Sequence, residues 1–171
     1  MKKILLLLTI CLASVCADAQ TIDKKLLNGK WMLYSMGGDG QTVYRDSMEQ
    51  SIAGMISLKR AKHPEMQMTT QDSLTVAAGL KEKFKDLFRT YSIFNADGTC
   101  TMFSGMNHDE NGNLIERTGT YVWSGDNKII ETVGKYDPEA FIIVSLTADK
   151  LVISSDNKSE QKKNLRMVFV K

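Results

Sequence analysis

From residue 91 onward the apolar residues recur with a period of two, and the short β-rich runs they form are joined by links that alternate between tight and long. With an earlier run at 30–36, the runs at 89–95, 99–104, 114–123, 128–133, 140–146, 151–154 and 164–170 give eight strands. Asn95-Ala96-Asp97-Gly98, Ser124-Gly125-Asp126-Asn127 and Thr147-Ala148-Asp149-Lys150 are the tight links, whereas 37–88, 105–113, 134–139 and 155–163 are long. In an up-and-down barrel successive links emerge at opposite ends, so the alternation predicts one shut end and one end crowded with loops. The expected fold class is mainly β: an eight-stranded up-and-down antiparallel barrel with a two-helix insertion between strands one and two.

That insertion occupies about residues 46–88. Asp46 or Ser47 can cap a first helix to residue 60, in which Met48, Ile52, Met55 and Ile56 share one face; His63-Pro64 then interrupts, because proline disfavours helix in the residue before it. A second helix, from about 70–73 to 88, sets Leu74, Ala77, Ala78, Phe84, Leu87 and Phe88 on one side and Lys81, Glu82, Lys83, Lys85 and Asp86 largely on the other, where the charges read as a solvated surface. The first strand must start at the tight-turn end, where Trp31 with Ile22, Leu26 and Leu27 can plug the barrel. The helices then fall at the mouth, as a lid.

Before this domain, Met1-Lys2-Lys3 is followed by an apolar run from residue 4 to residue 15 and a small-residue site, Ala17-Asp18-Ala19. Residues 1–19 read as a secretory signal, with 20–171 as one domain. The apolar run is too short for a comfortable membrane span. Ile10 and Val15 precede Cys11 and Cys16 where a lipoprotein peptidase needs a small residue, so lipid anchoring is disfavoured and the expected location is exported, periplasmic or secreted. Without residues 1–19 the count of 22 basic against 20 acidic side chains becomes 20 against 19, and Cys100 is the one cysteine left. A near-neutral chain with no basic stripe excludes a nucleic-acid partner, and a lone cysteine excludes an internal disulfide. About 150 residues suffice to bury one ordinary core.

Gly29-Lys30-Trp31, residues 91–99 ending in Asp97-Gly98-Thr99, Gly119-Thr120-Tyr121 and the closing run 165–170 together resemble the lipocalin-like or calycin barrels secreted by bacteria, particularly the small single-domain ones common in Bacteroidetes. The chain departs from that pattern in lacking the Thr-Asp-Tyr turn of many animal lipocalins and in carrying paired helices in place of a simple large loop. In the family a cation stacks over the first-strand Trp near the closed end; the last strand descends to that end, which places Lys171 better than Arg166. The resemblance implies a small apolar or amphipathic ligand held inside the barrel.

Strand alternation sets Ile115, Arg117, Gly119, Tyr121 and Trp123 on one face of residues 114–123. If that face points inward, Arg117 lies against an apolar cavity and must meet a carboxylate, Glu131 or a ligand acid; a register shifted by one puts it in solvent, and both registers are open. Trp31, Leu33 and Ser35 share a face of the first strand, as do Leu165, Met167 and Phe169 of the last. The expected ligand-binding residues are therefore Ser35, Arg117, Tyr121 and Leu165. Residues 107–113 carry oxygen ligands and a glycine like the first half of an EF-hand loop, but position twelve is Thr118 rather than a bidentate Glu, so a polar hairpin loop is preferred. His63 and His108 lie in loops and Cys100 lies mid-strand; no catalytic or metal-binding spacing appears, and neither enzyme activity nor a cofactor is expected. A carrier under a helical lid is the leading expectation. The alternative is an envelope-associated module with a filled barrel, binding a protein partner through helices 46–88, whose Met-bearing faces suit an adaptable interface.

Overall fold

Ten-residue β1 (Gly29–Gly38) has two neighbours along one edge, and this arrangement organises the rest of the molecule. In the computed structural model, which describes residues 22–38, 41–65, 67–109, 111–134, 137–155 and 165–171, it is followed by β2 (Gln41–Tyr44), α1 (Met48–Lys62), α2 (Thr70–Leu87) and β3 (Tyr91–Phe94). Next come β4 (Thr99–His108), β5 (Leu114–Trp123), β6 (Lys128–Val133), β7 (Glu139–Leu146), β8 (Lys150–Ser155) and β9 (Arg166–Val170). The antiparallel order is β2-β1-β3-β4-β5-β6-β7-β8-β9, and β9 pairs back onto β1, so β1 and β3 to β9 close an eight-stranded barrel. The segment read as a signal, 1–19, lies outside the described residues.

The helices follow β2 rather than the first barrel strand. Period counting overlooks β2 because it is four residues long with one buried apolar residue, Val43; its pairing, from Ser35↔Tyr44 to Gly38↔Gln41, is what defines it.

At the tight-turn end the plug forms as the strand order requires. Asp23 caps a short 3₁₀ turn, Lys24–Leu27, by accepting from Lys25 N at 3.0 Å, and the turn delivers the fully buried Leu27 beneath the fully buried Trp31. Trp31 Nε1 donates to Leu27 O at 2.6 Å. Lys171 Nζ lies 4.5 Å from the Trp31 ring centroid and donates to Leu26 O at 3.1 Å, so Lys171 supplies the cation over the first-strand Trp. Gly98 and Gly125 take φ of +84° in the β3–β4 and β5–β6 turns, a conformation that favours glycine.

Near the mouth the wall changes material. β3 pairs with β1 only over Gly29–Met32 and with β4 only over Cys100–Phe103, which leaves the upper halves of β1 and β4 without a strand between them. β2 covers part of that breach, α1 lies against β2, and α2 lies against β4. Ile52, Leu87 and Phe88 are buried there, with Met48, Met55 and Phe84 packed on the same core. The joint is close: a Cβ on Gly105 would fall 1.6 Å from Asp86 O, and Gly105 N donates to Thr90 Oγ1 at 3.2 Å. The helices therefore serve as a section of side wall. Thr69 and Asp72 form a reciprocal capping box at the start of α2, and Lys81 pairs with Glu49 of α1 at 2.6 Å.

Candidate functional site

Cross-strand partners share a face, so the buried Phe94 and Cys100 fix which side of each strand points inward. From Cys100↔Gly119 the register runs through Gly119↔Val133, Tyr121↔Glu131 and Glu131↔Glu139, and one alternation higher Met102 faces Arg117. Arg117 therefore belongs to the interior face, which decides between the two registers open from sequence. It lines a cavity of about 520 Å³ together with Met102, Ile115, Glu131, Val133 and Glu139; Asn107, Asp137 and Pro138, all exposed, form part of its boundary. Helix residues contribute little to this space, and Thr90, just beyond α2, marks where the helical section approaches it.

Glu131 is the unusual member of this set. It sits at only 4% exposure on a strand whose inward face also carries Ile129 and Val133, and among the described residues no group donates to its Oε2. Burial pushes its carboxyl up to about 8, and the charge of Glu139 pushes in the same direction, so it holds a proton at neutral pH. The neighbouring Cys100 thiol is raised to about 11, first by burial and then by Glu131, which makes it an inert core thiol.

Of the four residues expected to meet a ligand, Arg117 lines the cavity and the other three do not. Ser35 is displaced by a bulge: Leu33 pairs with Phe169, but Ser35 pairs with Val168, so one extra residue in β1 carries Tyr34 and Ser35 to the outer face and returns Met36 to the interior. There Ser35, 2% exposed, lines a second space of about 430 Å³ with Tyr34, Tyr44, Val152 and Val168. Tyr121 faces inward at the closed end, where its hydroxyl donates to Asn95 O at 2.8 Å and its ring meets Phe94 edge-on. Leu165 is half-buried ahead of β9, and its carbonyl accepts from Ser155 N at 3.0 Å. Glu131 enters the sequence reading only as a carboxylate for Arg117, and Glu139 does not enter it. The signal for Glu131 was Ile129-x-Glu131-x-Val133, an acid inside an alternating apolar run, which places a carboxyl among core side chains.

The loop that resembles half an EF-hand folds on itself. Asp109 Oδ1 accepts from Asn111 N at 2.9 Å and Asn113 N at 2.8 Å, and these bonds hold its carboxyl below the usual range, those from Asn113 most strongly. Its ligating oxygen is thus used by the turn.

A closed eight-stranded antiparallel barrel with a plugged end and a cavity toward the other is one fold shared by several families, so sequence must decide among them. The sequence model of the lipocalin-like domain matches residues 27–153. The chain belongs to the lipocalin-like domain family. No curated protein matches it in sequence. Among solved structures it is similar to a DUF4847 family protein from Bacteroides vulgatus ATCC 8482, at 15% identity over 85% of this chain and 93% of that one, with a TM-score of 0.49. No helix among the described residues is long and apolar enough to cross a membrane.

Proposed function

We propose that this lipocalin-like protein is an exported carrier or sensor for a small apolar or amphipathic ligand, held in the upper barrel beside the helical wall. The supporting observation is the cavity of about 520 Å³, in which Met102, Ile115 and Val133 offer apolar surface while Arg117 and the buried Glu131 offer polar anchors. Its size falls within the usual range of small-molecule sites, roughly 300–1,000 Å³, and polar groups set beside apolar surface are what such sites use to orient a ligand. Native mass spectrometry and lipid extraction of the protein purified from its own host test this, with an Arg117→Ala control. Recovery of a co-purifying small molecule, reduced in the control, is the expected result. Repeated recovery of bare protein, with no thermal shift across a lipid and sterol panel, would count against a carrier.

A second reading, a protein-interaction module, draws on the helices. Met55, Ile56, Leu58, Val76 and Leu80 line a groove between α1 and α2, and Leu74 stands 60% exposed on the free end of α2. Leu74→Ser and Leu80→Ser should leave ligand recovery unchanged while removing any partner held at that groove.

A further inference from the structure

The polar groups of the cavity are unevenly satisfied. Among the described residues Glu131, Asp137, Glu139 and Arg117 line it, and both Arg117 and Glu139 are already engaged. The group with unmet capacity is Glu131, whose Oε2 is buried and accepts from no described residue. A buried carboxyl oxygen without a donor gains most from acquiring one, and a charged donor makes the stronger bond. An acidic ligand would have to bring its charge past Asp137 and Glu139 at the rim to an Arg117 that is already engaged. The apolar residues Met102, Ile115 and Val133 occupy the same cavity and suit a hydrocarbon body.

Resting on the carrier reading, we propose that the ligand is an amphipathic amine, its hydrocarbon body against Met102, Ile115 and Val133 and its ammonium group donating to Glu131 Oε2 within the field of Glu139.

The groups facing Glu131 set how binding depends on pH. Glu139 of β7 and Asp137 add negative charge, Arg117 of β5 is the cation, and Tyr121 of β5 and Cys100 of β4 remain neutral, with their own values raised by burial. Free Glu131 carries a proton at neutral pH. When the ammonium arrives, the carboxyl releases that proton to solvent and the N–H of the ligand takes its place. Amine affinity should therefore rise with pH between about 6 and 8, while the affinity for a neutral alcohol of the same chain length stays level.

Isothermal titration calorimetry with decylamine, decan-1-ol and decanoate tests the inference on the full chain. The amine should bind about tenfold more tightly than the alcohol, and decanoate most weakly. Glu131→Gln should reduce the amine to the level of the alcohol and leave the alcohol unchanged; Glu139→Gln, at the exposed rim, should weaken the amine severalfold and supplies the test if the buried variant does not fold. Decanoate binding tightest, or amine and alcohol binding equally, would overturn the amine assignment and leave the carrier reading standing. Failure of all three to bind would overturn the amine assignment, and would overturn the carrier reading as well where the lipid and sterol panel also gives no thermal shift.

Discussion

At the closed end of the barrel Trp31 Nε1, the Tyr121 hydroxyl and the Lys171 ammonium each donate to a backbone carbonyl, and Leu27, Trp31 and Phe94 are buried around them. Toward the mouth, some strands of the same sheet surround a cavity of about 520 Å³ and hold a buried carboxyl oxygen with no described donor. Both ends mix aromatic, charged and apolar residues, so composition does not separate them. The state of their polar atoms does: satisfied groups fix a fold, and an unsatisfied buried group is retained where something other than stability maintains it.

The sharpest way to break this contrast is to remove the plug. Trp31→Ala deletes the largest fully buried side chain and leaves Leu27 O without its donor, so denaturant unfolding should show a loss of about 3–5 kcal/mol. A loss below about 1 kcal/mol would mean that the closed end is not where the barrel stores its stability. Next in size is the pH dependence contributed by the mouth. Glu131 rises from an ordinary 4.5 to about 8 on folding, so the folded chain keeps a proton that the unfolded chain gives up. Stability from this group is full below about pH 4.5 and is lost as pH climbs toward 8, with a slope of up to ~1.4 kcal/mol per pH unit. Melts recorded across that window should show the decline in the wild type and a flatter profile in Glu131→Gln. The smallest effect should come from Lys171→Met, which keeps the aliphatic stem over Trp31 and removes only the ammonium; a loss of less than about 1 kcal/mol in the same unfolding assay matches an exposed cation–π contact.

The alternation of link lengths made the architecture legible, because tight turns at Asn95–Gly98, Ser124–Asn127 and Thr147–Lys150 can lie only at one end of an up-and-down barrel. It also placed the Trp31 plug and, together with the cation that the family resemblance implies, Lys171 at the closed end. The site was harder to read. Alternation counts Trp31, Leu33 and Ser35 as one face, but a bulge inserts a residue between Leu33 and Ser35 without changing composition, and every later side chain of β1 reverses. For Tyr121 the face was right and the height was wrong: a period of two says which way a side chain points, not how far along the barrel axis it stands. Glu131 was visible only as a partner for Arg117, since an acid between Ile129 and Val133 reads equally as an edge position until pairing with Tyr121 fixes its side. The helices read as a lid because the shortness of β3, and so the breach beside it, follows from pairing rather than from residue type.

That breach makes the barrel mechanically uneven. A wall sealed by a ladder of backbone hydrogen bonds opens only by breaking several of them together, whereas the joint between α2 and β4 is held by the buried Leu87 and Phe88, by close packing of Gly105 on Asp86 and, among the described residues, by one bond to Thr90 Oγ1. Parting there sacrifices dispersion contacts and a single hydrogen bond while leaving the β4–β5 to β8–β9 ladders whole. The molecule thus has a seam along one side, closed at residue 105, where glycine allows two backbones to touch.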